Sequence, residues 1–290
     1  MSGAGMIPGG ADLHTHSLHS DGTNTPTSIV ERALQRGLTA LALTDHDSVD
    51  GLDEARARAE GTGLEVISGV ELSAHDGSVE VHMLGLYVDD HDAEFRQALV
   101  AFREQRLLRA HAILERLEEL GYDLSWDDVL ERARGGSIGR PHIAEAMVAA
   151  GFVGTIDEAF RRFLGSKGPA NIARKTLTPR GAIELVRRAG GVPAVAHPAT
   201  MQRDALIPEL AKLGLTALEV FHPRHDENDR RRYLRLCEKY NLISTGGSDT
   251  HGARTGYSQV GDTTVPIEIV ERLREAAGRD DLGRAHAQGA

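Results

Sequence analysis

Apolar and polar positions alternate along the chain in blocks that read repeatedly as strand, then helix. Residues 11–14 read as a short strand. Thr25 and Pro26 then supply an N-cap and a proline at the first helical position, and a helical period runs to Gly37. Residues 39–44 (TALALT) predict a buried strand, and a helix rich in Ala, Glu and Arg follows over residues 52–61. Residues 64–70 and 79–88 are the next two strands. From 92 to 120 the pattern is helical and strongly charged, and helical patterns continue over 140–150, 156–163 and 179–189. No strand signal appears across these roughly 95 residues. The alternation resumes with strands at 192–196, 217–221 and 242–245. Helices follow at 205–213, 226–240 and 266–277. The tail 278–290 is polar and small, which predicts a frayed end.

Repeated strand–helix units predict a parallel sheet, open or closed into a barrel. The helical middle reads as an insert lying over the barrel mouth. This gives an N-terminal barrel part over residues 11–100, a helical insert over 101–178 and a C-terminal barrel part over 179–278.

Composition narrows the function. With 290 residues, 40% hydrophobic and 26% charged, the chain has room for one large α/β domain with an insert. No run approaches the ~18 apolar residues of a membrane helix. The Gly-rich lead-in lacks a basic segment and a long apolar segment, so a secretory signal is not expected. Cys237 is the only cysteine, so no intrachain disulfide forms, which points to the cytoplasm. A net charge of −10 argues against general binding of duplex DNA. An anionic substrate would have to be drawn in locally, by bound metal ions and a few arginines. The 14 histidines are the unusual entry in the composition.

Their positions are informative. His14 and His16 end the first strand, and alternate residues of an extended chain face one side. Asp21 follows in a Ser-Asp-Gly turn. Asp45, His46 and Asp47 end the TALALT strand, and Glu71 ends the next. His82 lies within a strand, His197 ends VPAVAH, and Asp249 and His251 end LISTGGSDTH. Metal-capable side chains thus gather at the C-terminal ends of strands, the active-site rim of barrels and α/β sheets. Mixed imidazole and carboxylate donors suit Zn²⁺, Mn²⁺ or Fe²⁺ rather than Ca²⁺. They exceed the needs of one catalytic ion, and two or three would use them all. Each piece alone has a plain structural reading: an HxH pair is usually incidental, and a strand histidine is usually hydrogen-bonded core. Chance placement of all of them at strand ends is hard to arrange.

The segments HTHSLHSDG, TDHD, GVE, the in-strand His82, AHP and GSDTH resemble the PHP (polymerase and histidinol phosphatase) superfamily over residues 11–255. They look closest to its stand-alone 3′,5′-bisphosphate nucleotidases and 5′–3′ exoribonucleases. The resemblance implies a distorted (β/α)7 barrel with a small helical insert and a site for three ions. It implies that His14, His16, Glu71 and Asp249 hold one ion. Glu71 would bridge to a second held by His82 and His197, and Asp21, His46 and His251 would hold a third. Two cations sharing Glu71 would share a water and lower its pKa, giving a hydroxide that attacks phosphorus. Glu71, Asp249 and His197 are the expected catalytic set.

Anion contacts should lie outside the cluster. Arg140 and His142, in SIGRPH at a helix start, resemble the family's phosphate contacts, and Lys167 and His225 follow the same pattern. His222 lies near His225 and reads as structural. Asp12, Asp45 and Asp47 adjoin ligands and can orient imidazoles or simply end strands. His19, His75, His91, His111 and His286 fit no motif and read as surface residues. The charged run from Arg103 to Glu119 reads as a solvated helix face rather than a nucleic-acid groove. The expected substrate is a small phosphorylated compound, a 3′,5′-bisphosphate nucleotide or the 5′ end of a short oligoribonucleotide. Histidinol phosphate is the alternative within the same chemistry, and a non-catalytic metal-binding scaffold is the alternative outside it.

Overall fold

A computed structural model describes residues 7, 9–77, 79–133, 136–165, 167–172, 177–254 and 258–279. The expectations for His286 and for the tail beyond Arg279 lie outside the described residues. Seven strands lie side by side in chain order. They are β1 (Ala11–Asp12), β2 (Ala40–Leu43), β3 (Glu65–Asp76), β4 (Val79–Leu86), β5 (Val192–Val195), β6 (Ala217–Phe221) and β7 (Ile243–Gly246). The sheet curls until its ends meet. The Leu13 N–H donates to Gly246 O at 3.2 Å, and the Asp249 N–H donates to His14 O at 2.8 Å. Gly247 permits this closure, because a Cβ there would lie 2.4 Å from the His14 nitrogen. The fold is the distorted seven-stranded α/β barrel that the sequence pattern and resemblance imply.

Side-chain size follows from closure. Ala40, Ala42, Ala194 and Ala217 pack with Ile67 and Leu84 in one cluster. Leu41 and Leu43 face the other way, into a cluster with Ile29 and Val30. Small residues on the inner face suit a barrel of few strands.

One strand departs from the parallel expectation. β4 pairs antiparallel with both β3 and β5. Only a tight turn at Gly77, with φ 62°, lies between Asp76 and Val79. A parallel return would need a crossover of about a dozen residues. β3 accordingly runs on to Asp76, past the expected end at Val70. The reversal brings the start of β4 to the rim where the parallel strands end, so residues 80–82 reach the site from the opposite direction.

Helices α1 (Pro26–Gln35) and α2 (Leu52–Ala59) cover the first strands. Thr25 caps α1, its hydroxyl accepting the Ser28 N–H at 3.1 Å. The middle of the chain forms α3 (Ala93–Glu119), α4 (Trp126–Ala133), α5 (Arg140–Ala149) and α6 (Ile156–Ala159), the last running into a π turn at Phe160–Leu164. These helices bury a cluster of their own, including Ile113, Leu117, Val129, Met147 and Leu164. The barrel then resumes with α7 (Pro179–Arg188), the short α8 (Pro198–Met201), α9 (Leu206–Lys212), α10 (Glu227–Tyr240) and α11 (Ile267–Ala276). Asp226 and Asp229 form a capping box at the start of α10, which ends at Asn241 with φ 53°. No helix among the described residues is long and apolar enough to cross a membrane.

Candidate metal centre

The strand ends at the rim are irregular, and that irregularity aims the polar side chains. Thr15 pairs with Thr250 and His46 with Glu71 in isolated bridges beyond the regular strands. Asp47, His197 and Asp249 take φ values of 51°, 28° and 48°. Left-handed backbone at non-glycine residues is costly, and here it occurs at three strand ends that carry site residues.

All nine expected ligands converge. The Glu71 carboxylate is at the centre. Its Oε1 lies 2.7 Å from His82 Nδ1 and 3.0 Å from His197 Nε2. Its Oε2 lies 3.2 Å from His14 Nε2, 3.0 Å from His16 Nε2 and 3.5 Å from His46 Nε2. On the other side, His14 and His16 each place Nε2 3.3 Å from Asp249 Oδ1. Asp21 reaches His251 Nε2 at 3.3 Å and His46 Nε2 at 3.8 Å. Three overlapping groups could each hold an ion: His14, His16, Glu71 and Asp249; His16, Asp21, His46 and His251; and His46, Glu71 and His82. His46 and His16 therefore stand between groups.

The donor set fits a cation. The two Nε2 atoms of His14 and His16 are 3.0 Å apart. Two N–H groups cannot face each other at that distance, so at least one must present a lone pair. An ion with tetrahedral ligands at 2.0–2.1 Å has ligand–ligand edges of about 3.3 Å. The spacing between His14 and His16, and those from each of them to Glu71 and Asp249, are 3.0–3.3 Å. His16 Nδ1 and His46 Nδ1 are also buried without a hydrogen-bond partner.

The electrostatics agree. Burial by itself would lower the His14 imidazole, but the Glu219, Glu71 and Asp249 carboxylates outweigh it and hold it well above its ordinary value. Against the same burial, hydrogen bonds to Asp249 and Glu71 push His16 up to about 10, and the Glu71 charge pushes His82 up to about 9. Burial wins at His46, which falls to about 3 despite Glu71 and Asp21. Burial would raise Glu71, yet the His46, His14 and His82 charges hold it well below the carboxylate range. The pocket thus demands positive charge, and protons supply part of it where cations would otherwise sit.

Sequence reading missed the residue that orients one of these imidazoles and anchors the backbone of a second. Glu219, from the middle of β6, is fully buried. The His14 Nδ1–H donates to its Oε1 at 3.0 Å, and the His197 main-chain N–H donates to its Oε2 at 2.6 Å. A single acid in the otherwise apolar strand ALEVF was the available signal. A carboxylate behind a ligating histidine fixes its tautomer and raises its basicity. Glu219→Gln is expected to weaken divalent-ion affinity by about tenfold or more. Titration of the metal-stripped variant reads this directly, and unchanged affinity would remove the role.

Asp12, Asp45 and Asp47 bond other groups. Asp12 accepts the Ser248 and Gly261 N–H groups at 2.9 Å, and burial lifts its carboxyl to about 6. Asp45 accepts from Ser17 and Ser20, and Asp47 accepts Arg106 Nε–H at 2.5 Å.

Above the rim lies a cavity of about 1070 Å³ between barrel and helices. Its far wall carries Arg106, Arg109, Arg140 and Lys167. The charged face of α3 is therefore not simply solvated, because Arg106 and Arg109 are one turn apart and each only 12% exposed. Arg103 and Arg106 both grip Asp47, through its main-chain O at 3.0 Å and its carboxylate. Arg140 lines the cavity and pairs with Glu80. His142 instead accepts the Gly139 N–H at the start of its own helix. The two histidines after β6 exchange expectations. His225 is buried, bonds Val220 O at 2.9 Å and does not line the cavity. His222 does line it, and its Nε2 lies 3.1 Å from Asp249 Oδ2. The turn 222–225 aims the first imidazole inward and the second at Tyr233, a choice that spacing along the chain does not reveal.

A seven-stranded barrel with clustered imidazoles and carboxylates at one rim, beneath a cavity walled by arginines, defines a metal-dependent hydrolase of anionic esters. Residues 12–165 match the PHP domain, and the chain belongs to that family. It is 36% identical over 83% of its length to a phosphoribosyl 1,2-cyclic phosphate 1,2-diphosphodiesterase of Eggerthella lenta, 94% of which is covered. It is 32% identical to a 3′,5′-nucleoside bisphosphate phosphatase of Chromobacterium violaceum, over 87% of this chain and 90% of that one. It is 30% identical to a 5′–3′ exoribonuclease of Escherichia coli, over 83% and 84%. A crystal structure assigned to a metal-dependent phosphoesterase of Bifidobacterium adolescentis superposes with a TM-score of 0.86 at 34% identity, covering 96% of this chain and all of that one. The protein is a metal-dependent phosphoesterase.

Proposed function

We propose that the chain hydrolyses phosphate esters of nucleotides, 3′,5′-bisphosphate nucleotides or the 5′ ends of short oligoribonucleotides, with two or three divalent ions. Mn²⁺, Fe²⁺ and Zn²⁺ all suit the donors. One observation carries this reading: the two oxygens of Glu71 face different sets of imidazoles at the floor of the arginine-walled cavity.

His14, His16, Glu71 and Asp249 would hold one ion. Glu71, His82 and His197 would hold a second, and Asp21, His46 and His251 a third. When bound, such ions polarise phosphoryl oxygens and lower the pKa of a water. The chain's own residues do the remaining work. Glu71, Asp249 and His197 fix the geometry around the reacting phosphate. Glu219 and Thr200 hold the His14 and His197 rings, the latter through Thr200 Oγ1 at 2.8 Å from Nδ1. His222 accepts the Arg224 N–H at Nδ1 and donates its Nε2–H to Asp249 Oδ2 at 3.1 Å, which holds that carboxylate in place at the cavity floor. Arg140 and Lys167 take the substrate's charge, and residues 101–178 cover the site. The lone cysteine, Cys237, is buried and unpaired, which fits a reducing cytoplasm.

The 36% identity to a cyclic phosphate diesterase favours a second reading, in which the bond cleaved lies in a phosphoribosyl cyclic phosphate. Parallel assay of a nucleoside 3′,5′-bisphosphate, a short oligoribonucleotide, a phosphoribosyl cyclic phosphate and histidinol phosphate decides between them. Preference for either of the last two overturns the nucleotide reading. Arg140→Ala is expected to raise KM for the preferred substrate by on the order of tenfold, with metal content unchanged. It removes a cation from the cavity and leaves Glu80 to repel the substrate. An unchanged KM would exclude Arg140 from binding.

A further inference from the structure

Glu80, a carboxylate in the cavity, belongs to none of the metal groups, yet cationic or ionisable nitrogens approach it from four elements. Glu80 projects from the reversed strand β4. Arg140 Nη2, from α5, donates to its Oε2. Arg109 Nη1, from α3, lies 3.7 Å from its Oε1. His82 Nε2 and His75 Nε2 lie 3.7 and 3.9 Å from the same oxygen. His75 is accordingly not the surface residue its lack of a motif suggested, since its side chain is only 9% exposed.

The guanidiniums are held in place by other partners as well. Arg140 Nη1 donates to Leu164 O at 3.3 Å, and its guanidinium lies 5.7 Å from the Phe160 ring centroid. Arg109 Nε donates to Ile172 O at 2.7 Å. The insert backbone therefore fixes both arginines whether or not Glu80 carries charge. A carboxylate that is not needed to place two cations, but sits between them in the substrate cavity, acts on whatever anion enters.

We propose that Glu80 is a specificity-determining residue, a resident counter-ion occupying the anion site of Arg109 and Arg140 that a second, non-reacting phosphate of the substrate must share or displace. The proposal rests on the phosphoester reading above. A phosphate brings more charge and more acceptor oxygens than one carboxylate, so it can compete for the pair. An ester with a single phosphate commits that group to the metal groups and leaves Glu80 undisturbed at the arginines. The carboxylate therefore taxes substrates with two phosphates selectively.

Glu80→Gln keeps the volume and removes the charge. In the metal-loaded enzyme, it is expected to lower KM for a nucleoside 3′,5′-bisphosphate by roughly tenfold relative to KM for the matching monophosphate, about 1.4 kcal/mol. In a calorimetric titration of the same metal-loaded enzyme with inorganic phosphate, a second phosphate, bound beyond the one at the metal groups, should tighten by a similar factor. Glu80→Asp, which keeps the charge, should keep the wild-type KM ratio. A rise in KM for both substrates in Glu80→Gln would show that Glu80 merely holds the arginines, and would overturn the proposal. So would an unchanged ratio, or Glu80→Asp behaving like Glu80→Gln. If the wild-type enzyme cleaves no nucleotide ester, the proposed function fails on its own. The phosphate titration then still judges Glu80, and no gain in affinity sinks it.

Discussion

Glu71→Gln is expected to lower kcat/KM by roughly 10³-fold or more and to deplete the protein of divalent ions. Glu71 is 1% exposed, and its two oxygens reach toward His82 and His197 on one side and His14, His16 and His46 on the other. An amide keeps the shape but offers one weak acceptor and one NH₂ group. That NH₂ must point its hydrogens at imidazoles aimed to bind cations. Two of the three donor groups contain Glu71, so one substitution damages both. Lewis-acid help is worth several kcal/mol, and each 1.36 kcal/mol is a tenfold change in rate. Steady-state kinetics with elemental analysis of the purified variant measures both effects. Activity within tenfold of wild type at full metal content would show that Glu71 does not join the groups.

Exhaustive chelation is expected to abolish turnover and to lower the melting temperature by about 10 °C, both restored by adding Mn²⁺, Fe²⁺ or Zn²⁺. An ion present at 1,000 times its dissociation constant stabilises the folded state by about 4 kcal/mol, and a chain of this size shifts a few degrees per kcal/mol. The structural reason is the crowding of donors. Without cations, the 3.0 Å contact of His14 and His16 has room for one proton, while the neighbouring carboxylates favour protonation of both rings. The sign of the pH dependence follows. His16 and His82 are raised to about 10 and about 9, and His14 well above its ordinary value, so protons and ions compete for the same nitrogens. Metal affinity should weaken as pH falls. Calorimetry on stripped and reloaded protein tests the first part, and metal titration at two pH values the second. A stripped protein that retains full turnover would end the metal-dependent reading.

The sequence by itself determined the barrel and the gathering of imidazoles and carboxylates at its rim. Alternating strand and helix periods place elements, because burial of one face selects the period. The i, i+2 spacing of His14 and His16 puts both imidazoles on one side, and strand ends of a closed sheet share one rim, whereas Asp249, at φ 48°, is aimed by irregular backbone that spacing does not show. Tertiary structure alone decided what lies behind and across from that rim. The Glu219 contacts span 205 residues to His14, and Glu80 meets Arg140 across 60. Such pairs depend on which strands become neighbours and on the reversal of β4, a topology that local periodicity does not encode. The same holds for Arg106 and Arg109. Their charge looks like an ordinary solvated face until α3 is laid over the mouth of the barrel, where its arginines meet Asp47 and Glu80 instead of water.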